Sequence, residues 1–183
     1  MKLKNFTTLL IAFIMALGLN AQNGGIKKRW NIKADYYSYG NNDIANKMQN
    51  IVLEGNYGVF KTLEIGGYAG YGFGSRNDFL YGANLNLHIL PMLIKSSNLR
   101  LDIYTSGKLG MCNSKKKYYN MPPIKQNELT WGCYLGVSYY LFKIFGVFIE
   151  TGYEQNIGTE SYSFNKQTTV VEFNTHFGIT FKF

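Results

Sequence analysis

Residues 129–141 read LTWGCYLGVSYYL, and an apolar or aromatic side chain stands at every second position of this segment. The positions between them carry Thr, Gly, Ser and Tyr. Successive side chains of a β-strand point to opposite faces of the sheet, so this period of two predicts a strand with one apolar face. The segment sets the pattern for the rest of the chain.

The same alternation recurs in seven further segments, at residues 30–37, 51–59, 63–73, 81–89, 99–111, 147–156 and 171–183. Their connections alternate in character. Those at 60–62, 91–98 and 142–145 are short or apolar, and those at 40–47, 74–78, 112–128 and 158–168 are mostly longer and polar. Short turns at one end and long loops at the other are typical of a bacterial outer-membrane barrel. With eight strands, both termini fall on the short-turn side.

The composition excludes several other classes of protein. The 183 residues include 19 Lys+Arg, 11 Asp+Glu and 20 Gly, and charged residues make up 16% of the chain. A typical soluble domain has about 25% charged residues. The two cysteines are too few for a disulfide framework and lack the spacing of a zinc site. No cofactor and no metal site are predicted.

The first segment is predicted to be a cleaved signal peptide at 1–21. Two lysines precede the apolar run 9–17, and a small residue stands at the expected cut before Gln22. The run is shorter than the roughly 20 apolar residues of a membrane helix. The barrel domain is therefore expected to span 22–183.

Alternation alone does not distinguish the inside of a barrel from its outside, but composition does. The polar face is rich in glycine beside long charged residues, which suits the narrow lumen of eight strands. Aromatic residues lie near both ends of the apolar stripes, as in the two girdles of membrane barrels. The girdle at the short-turn end is predicted to contain Trp30, Tyr57, Tyr139, Phe181 and Phe183. We predict an all-β chain that forms an eight-stranded antiparallel up-and-down transmembrane β-barrel.

The predicted lumen carries many charged side chains. Buried charge is expensive without a partner, so these residues are expected to form ion pairs. A structural polar plug is the favoured interpretation for eight strands, and a narrow ion path is the alternative. The predicted polar network comprises Lys33, Asp35, Glu54, Glu64, Arg100, Asp102, Lys108, Glu150, Glu154, Glu172, His176 and Lys182.

No catalytic residue is predicted. A barrel enzyme acting on lipid would need a His beside a Ser and an acid at the outer leaflet. His88 is expected near the short-turn end, and His176 is followed two residues later by Gly178 and not by a serine. Glu150 and Glu154 share a face, but no recognisable nucleophile accompanies them.

The third long loop carries a basic patch at Lys115, Lys116 and Lys117. Such a patch could bind lipopolysaccharide phosphates, although a solvated charge run is the commoner explanation. Nucleic-acid binding is not expected, because the basic residues are scattered. Cys112 is expected at a loop edge and Cys133 on the lipid face, so a disulfide between them is not favoured.

The pattern resembles the small outer-membrane β-barrel family that includes the OmpA-like and OmpX-like proteins. Its most specific piece is HFGITFKF at 176–183, which looks like the aromatic-ended signal read by the barrel-assembly machinery. The resemblance implies insertion by that machinery, with Phe177, Ile179, Phe181 and Phe183 as the signal residues. It does not imply one activity, because such barrels have diverse functions.

We therefore expect a non-enzymatic protein of a bacterial outer membrane, with a structural or protein-interaction role. One form of that role is an accessory subunit of a larger outer-membrane complex. The expected partners are outer-membrane lipids, lipopolysaccharide, the barrel-assembly machinery during insertion, and other outer-membrane proteins. A narrow small-solute or ion channel is one alternative, and ligand binding or adhesion through the loops is another.

Overall fold

A computed structural model describes residues 28–39, 48–74, 77–90, 100–116, 124–159 and 167–183. The predicted signal peptide lies outside these residues and stays a prediction. The strands are β1 (Trp30–Tyr39), β2 (Met48–Gly58), β3 (Leu63–Gly74), β4 (Asn77–His88), β5 (Leu101–Lys116), β6 (Ile124–Tyr140), β7 (Phe145–Thr159) and β8 (Gln167–Lys182). Within the described residues, no helix has the length and apolar character needed to cross a bilayer.

The eight strands form one closed antiparallel barrel in which each strand pairs with its neighbours in sequence. β1 and β8 close the barrel, and the backbone NH of Phe183 donates a 2.8 Å hydrogen bond to the carbonyl of Trp30. The residue pairs can be followed from Lys33 on β1 through each neighbouring strand in turn, and they lead to Val170 on β8. Across the closing pair of strands, however, Lys33 pairs directly with Thr180. This ten-residue stagger reflects the strand tilt that closure requires. The predicted fold class is confirmed.

The two faces of the strands are as expected for a membrane barrel. Leu53 on β2 is 59% exposed, whereas its neighbour Glu54 is 1% exposed. The same alternation of exposed apolar and buried polar residues runs along β4 and most of the other strands. The apolar stripe therefore faces outward, and the polar stripe fills the lumen.

The strands at the loop side are longer than predicted. β5 continues to Lys116 and β6 begins at Ile124, so most of the predicted loop 112–128 is strand. The expected position of Cys112 at a loop edge is wrong, because this side chain is buried on the inner face of β5. Cys133 lies on the outer face as expected, and both cysteines are free.

The end of the chain differs from prediction in one respect. Phe177 and Ile179 are exposed on the outer face of β8, but Phe183 is only 7% exposed. The prediction that Phe183 belongs to the aromatic girdle is wrong. Phe183 lies one residue beyond the end of β8, where its backbone still pairs with Trp30.

Candidate functional site

The middle of the lumen is filled by a cluster of charged side chains, which we call the central cluster: Lys33, Asp35, Glu54, Lys108 and Glu150. Lys33 Nζ lies 2.7 Å from Glu150 Oε1 and 4.0 Å from Glu54 Oε2. Lys108 Nζ contacts Glu54 and lies 3.1 Å from Glu150 Oε2. It also lies 3.9 Å from Asp35 Oδ2. Each lysine therefore bridges carboxylates from different strands.

Neutral donors add hydrogen bonds to two of these carboxylates, Glu150 and Glu54. Tyr104 Oη donates a 2.8 Å hydrogen bond to Glu150, and the amide of Asn84 donates a 3.1 Å bond to Glu54. Lys33 Nζ also lies 4.0 Å from the centroid of the Tyr104 ring, within cation–π range. Buried ion pairs are tolerated only when such bonds replace the lost water. More than one partner therefore stabilises each buried lysine of the cluster.

A second cluster, the turn-side cluster, lies at the end of the lumen that carries the short turns: Glu64, His88, Asp102 and Lys182. His88 Nδ1 lies 2.8 Å from Asp102 Oδ2, and its Nε2 lies 3.2 Å from Glu64 Oε2. Lys182 Nζ donates a 3.0 Å hydrogen bond to Asp102. Charged pairs thus also occupy this end of the lumen.

On the loop side of the central cluster the lumen becomes aromatic. His176 Nδ1 lies 3.0 Å from Asp35 Oδ2, and the His176 ring stacks on Tyr37 with the centroids 3.9 Å apart. Tyr134 Oη donates a 2.7 Å hydrogen bond to Glu154. A cavity of about 20 Å³ lies between these residues and Lys108. That volume holds about one water molecule.

Glycines on the inner face make room for the tyrosine rings. A Cβ placed on Gly136 would lie 2.3 Å from Cζ of Tyr104, and one on Gly132 would lie 2.7 Å from a ring carbon of Tyr134. Each ring therefore lies over a glycine, which is on the paired strand for Tyr104 and two residues away on the same strand for Tyr134. This pairing of large and small residues explains how large rings fit into a narrow lumen.

Comparisons with known proteins point to one fold. No protein-family model and no curated protein matches the chain. The solved structures that it resembles include Neisserial surface protein A, with a TM-score of 0.60 and 13% identity over 87% of this chain and 100% of that chain. The N-terminal β-barrel domain of OprF from Pseudomonas aeruginosa matches with a TM-score of 0.57 and 16% identity, covering 86% of this chain and 98% of that chain. This chain has the fold of the small eight-stranded outer-membrane β-barrels.

A third barrel of this fold is Ail, the attachment invasion locus protein of Yersinia pestis. It matches with a TM-score of 0.50 and 14% identity, and the match covers 86% of this chain and 99% of that chain. Similar folds with so little shared sequence do not by themselves show a shared ligand. Function must therefore be argued from the residues of this barrel itself.

The structure brings most of the predicted lumen residues together. The central and turn-side clusters contain eight of them, and His176 and Glu154 line the layer above. Glu172 stands opposite Glu154 on the neighbouring strand. The prediction for Arg100 is wrong, because it is exposed and precedes the first residue of β5. The alternating pattern predicts an inward side chain at Arg100. Because Arg100 lies before the start of β5, the strand does not hold this side chain in the lumen.

The basic patch is also placed differently. Lys115 and Lys116 belong to the loop-side end of β5, and Lys115 is exposed. Lys117 lies outside the described residues. The predicted interpretation of all three as loop residues is therefore wrong for the first two, since backbone pairing with β6 continues to Lys116.

Sequence reasoning missed several polar residues that complete the lumen. His88, Tyr104 and Asn84 were absent from the predicted network, yet each contacts one of its carboxylates. Their position on the inner face was the available signal. The sequence does not show which carboxylate each one contacts, because that depends on how the strands are arranged around the barrel. Within the described part of the chain, no group of three or more His, Cys, Asp or Glu side chains is arranged to hold a metal ion.

Proposed function

We propose that this protein is an integral component of a bacterial outer membrane that neither conducts solutes nor catalyses a reaction. It acts through its outer surface, as a structural or protein-interaction component. The observation that carries the proposal is the central cluster, in which Lys33, Glu54 and Glu150 are almost completely buried and paired across the lumen. An accessory subunit of a larger outer-membrane assembly is one form of this role.

The central cluster is costly to open. A solute passing the lumen would have to separate Lys33 and Lys108 from Glu150, which leaves buried charges without partners. Removing one partner of a buried pair costs about 3–5 kcal/mol. The cavity on the loop side of the cluster has room for about one water molecule. Interactions with other molecules are therefore expected at the outer surface and the loops.

The outer surface supports a location in lipid. Large apolar side chains are exposed on every strand. Ile51, Leu85, Leu135 and Ile149 are examples. In hydrocarbon every backbone polar group needs a partner, and a closed barrel provides one to each strand edge. The predicted signal peptide and the aromatic chain end support export and insertion by the barrel-assembly machinery.

The first prediction concerns conductance. We expect the refolded protein to give no single-channel steps in planar bilayers, because the central cluster blocks the lumen. A heat-shift gel of the same preparation should show the folded barrel. A matched preparation of Glu150→Gln, which removes one charge of the cluster, serves as the probe. Regular steps in the unaltered protein, with a size that changes in Glu150→Gln, would support the channel instead.

A second candidate function is binding of polyanions at the loop side. Lys115 is exposed at the end of β5, beside two further lysines in the sequence. Among the proteins of this fold, Ail has been solved in complex with the heparin analogue sucrose octasulfate. Phosphate-rich lipopolysaccharide would present the same kind of charge.

This candidate predicts salt-sensitive binding to immobilised heparin. Replacing Lys115, Lys116 and Lys117 together by Gln should weaken the binding by about tenfold or more at low salt, because surface electrostatics dominate there. Asn127→Ala, at an exposed uncharged position in the loop-side part of β6, is the control. Binding that does not change in the triple variant would exclude this site.

A further inference from the structure

The end of the barrel that carries both the start of β1 and the end of β8 is surrounded by basic side chains. We define the turn-side rim as Lys28, Arg29, Lys61, Arg100 and Lys143. All are exposed except Arg29, which is partly exposed. Lys28 is held in place by a 2.7 Å backbone hydrogen bond from its NH to the carbonyl of Gly58, and the carbonyl of Arg100 accepts one from Tyr140.

The charge of this rim has a single sign. The described residues at this end, 28–29, 59–62, 89–90, 100 and 141–144, include no acidic residue, and their basic residues are Lys28, Arg29, Lys61, Arg100 and Lys143. The nearest acids, Glu64 and Asp102, point into the lumen and pair with His88 and Lys182. Among the described residues, no rim residue forms an ion pair.

Aromatic side chains accompany this charge. Phe60 is 59% exposed and Phe142 is 69% exposed, and each directly precedes a rim lysine in its turn. Both turns have the order aliphatic, Phe, Lys. Just inside the rim, Trp30 packs against Tyr57 with ring centroids 5.2 Å apart. Aromatic rings prefer the headgroup level of a bilayer, and lysine extends from there toward the phosphates.

We propose that the turn-side rim binds the phosphate groups of anionic phospholipids in the surrounding leaflet. The proposal rests on the location in a membrane given above. Lys61 and Lys143 belong to turns β2–β3 and β6–β7, separated by four strands in both directions around the barrel. Such a distribution fits a shell of lipids better than one acidic protein docked on one side. Basic residues close to an anionic surface attract it over about a Debye length.

The two tryptophans allow a direct test. The chain has two Trp residues, Trp30 at the turn-side rim and Trp131 in the loop-side half of β6, and both are exposed on the outer face. Trp131→Phe leaves Trp30 as the reporter, and Trp30→Phe leaves Trp131. Quenching of each by brominated phosphatidylglycerol and brominated phosphatidylcholine, mixed with their unlabelled forms, gives the relative binding constant of the two lipids at each end.

We expect Trp30 to report a preference for phosphatidylglycerol of about fivefold, the size expected for one basic residue near an anionic headgroup. The preference should fall toward unity in 0.5 M salt. It should also fall in the variant Lys28→Gln/Arg29→Gln/Lys61→Gln, whereas Lys115→Gln, at the loop side, should leave it unchanged. At Trp131 we expect a weaker preference or none.

Three results would overturn the proposal: equal quenching by the two lipids at Trp30, an equal preference at both tryptophans, or a preference that survives the triple substitution. Equal quenching would leave an acidic protein as the partner of the basic rim. The heat-shift gel and the conductance recording test the membrane barrel separately. A folded, silent barrel without lipid preference would thus refute this inference and leave the proposed function intact.

Discussion

Lys33→Met is expected to lower the free energy of unfolding by about 3–5 kcal/mol, the cost of removing one partner of a buried ion pair. Lys33 is 1% exposed, and Met replaces its length without its charge. Glu150 would keep Lys108 and Tyr104, but it would lose its 2.7 Å contact with Lys33 Nζ. Urea unfolding in a fixed detergent or lipid system, followed by tryptophan fluorescence, measures the change.

The double variant Lys33→Met/Glu150→Gln separates charge from shape. Removing both charges leaves the Lys108–Glu54 pair in place, so part of the lost stability should return. Lys115→Met removes an exposed lysine from the same barrel and should change stability by no more than about 0.5 kcal/mol. A Lys33→Met protein as stable as the unaltered one would show that the central cluster contributes no net stability.

The faces of the strands were predictable because lipid and lumen impose opposite demands on adjacent residues. Leu53 and Glu54 are neighbours in sequence, and one contacts the membrane while the other is buried in the lumen. A side-chain period of two therefore records the fold directly. At the loop-side ends of β5 and β6 the residues no longer alternate between apolar and polar. The sequence therefore predicts both strands too short.

The partners inside the lumen were not predictable from sequence. Lys33 and Glu150 are 117 residues apart and lie on β1 and β7, which are not adjacent strands. Their meeting depends on the stagger accumulated around the barrel, and no single hairpin contains that information. Arg100 shows the complementary error, since the correct alternation places a residue in the lumen only where a strand continues.

The lumen contacts also explain how the barrel keeps its cross-section. Outside, apolar side chains meet lipid tails of similar polarity, so burial against lipid does not favour one barrel shape over another. Inside, the contacts of Lys33 with β7 and of Lys108 with β1, β2 and β7 cross the lumen. These contacts connect non-adjacent strands. We infer that the polar interior fixes the barrel shape while the apolar exterior fixes its location.

Two glycine substitutions test how tightly the closing strand pair is packed. A Cβ on Gly178 of β8 would lie 2.0 Å from the carbonyl oxygen of Ala34 and 2.8 Å from Cα of Asp35, both backbone atoms of β1. These atoms cannot move aside without shifting a strand. Gly178→Ala is therefore expected to destabilise the barrel by about 1–3 kcal/mol, the usual range for overpacking.

Gly55→Ala is the matched control, because a Cβ on Gly55 would meet no atom within 4 Å. Gly55 faces outward on β2, so the added methyl group would only extend the apolar surface. The folded fraction on a heat-shift gel and the urea midpoint should both fall for Gly178→Ala and stay unchanged for Gly55→Ala. Equal behaviour of the two variants would mean that β1 and β8 can separate slightly without loss of stability. In that case closure of the barrel would depend on the lumen contacts more than on the fit of the last strand against the first.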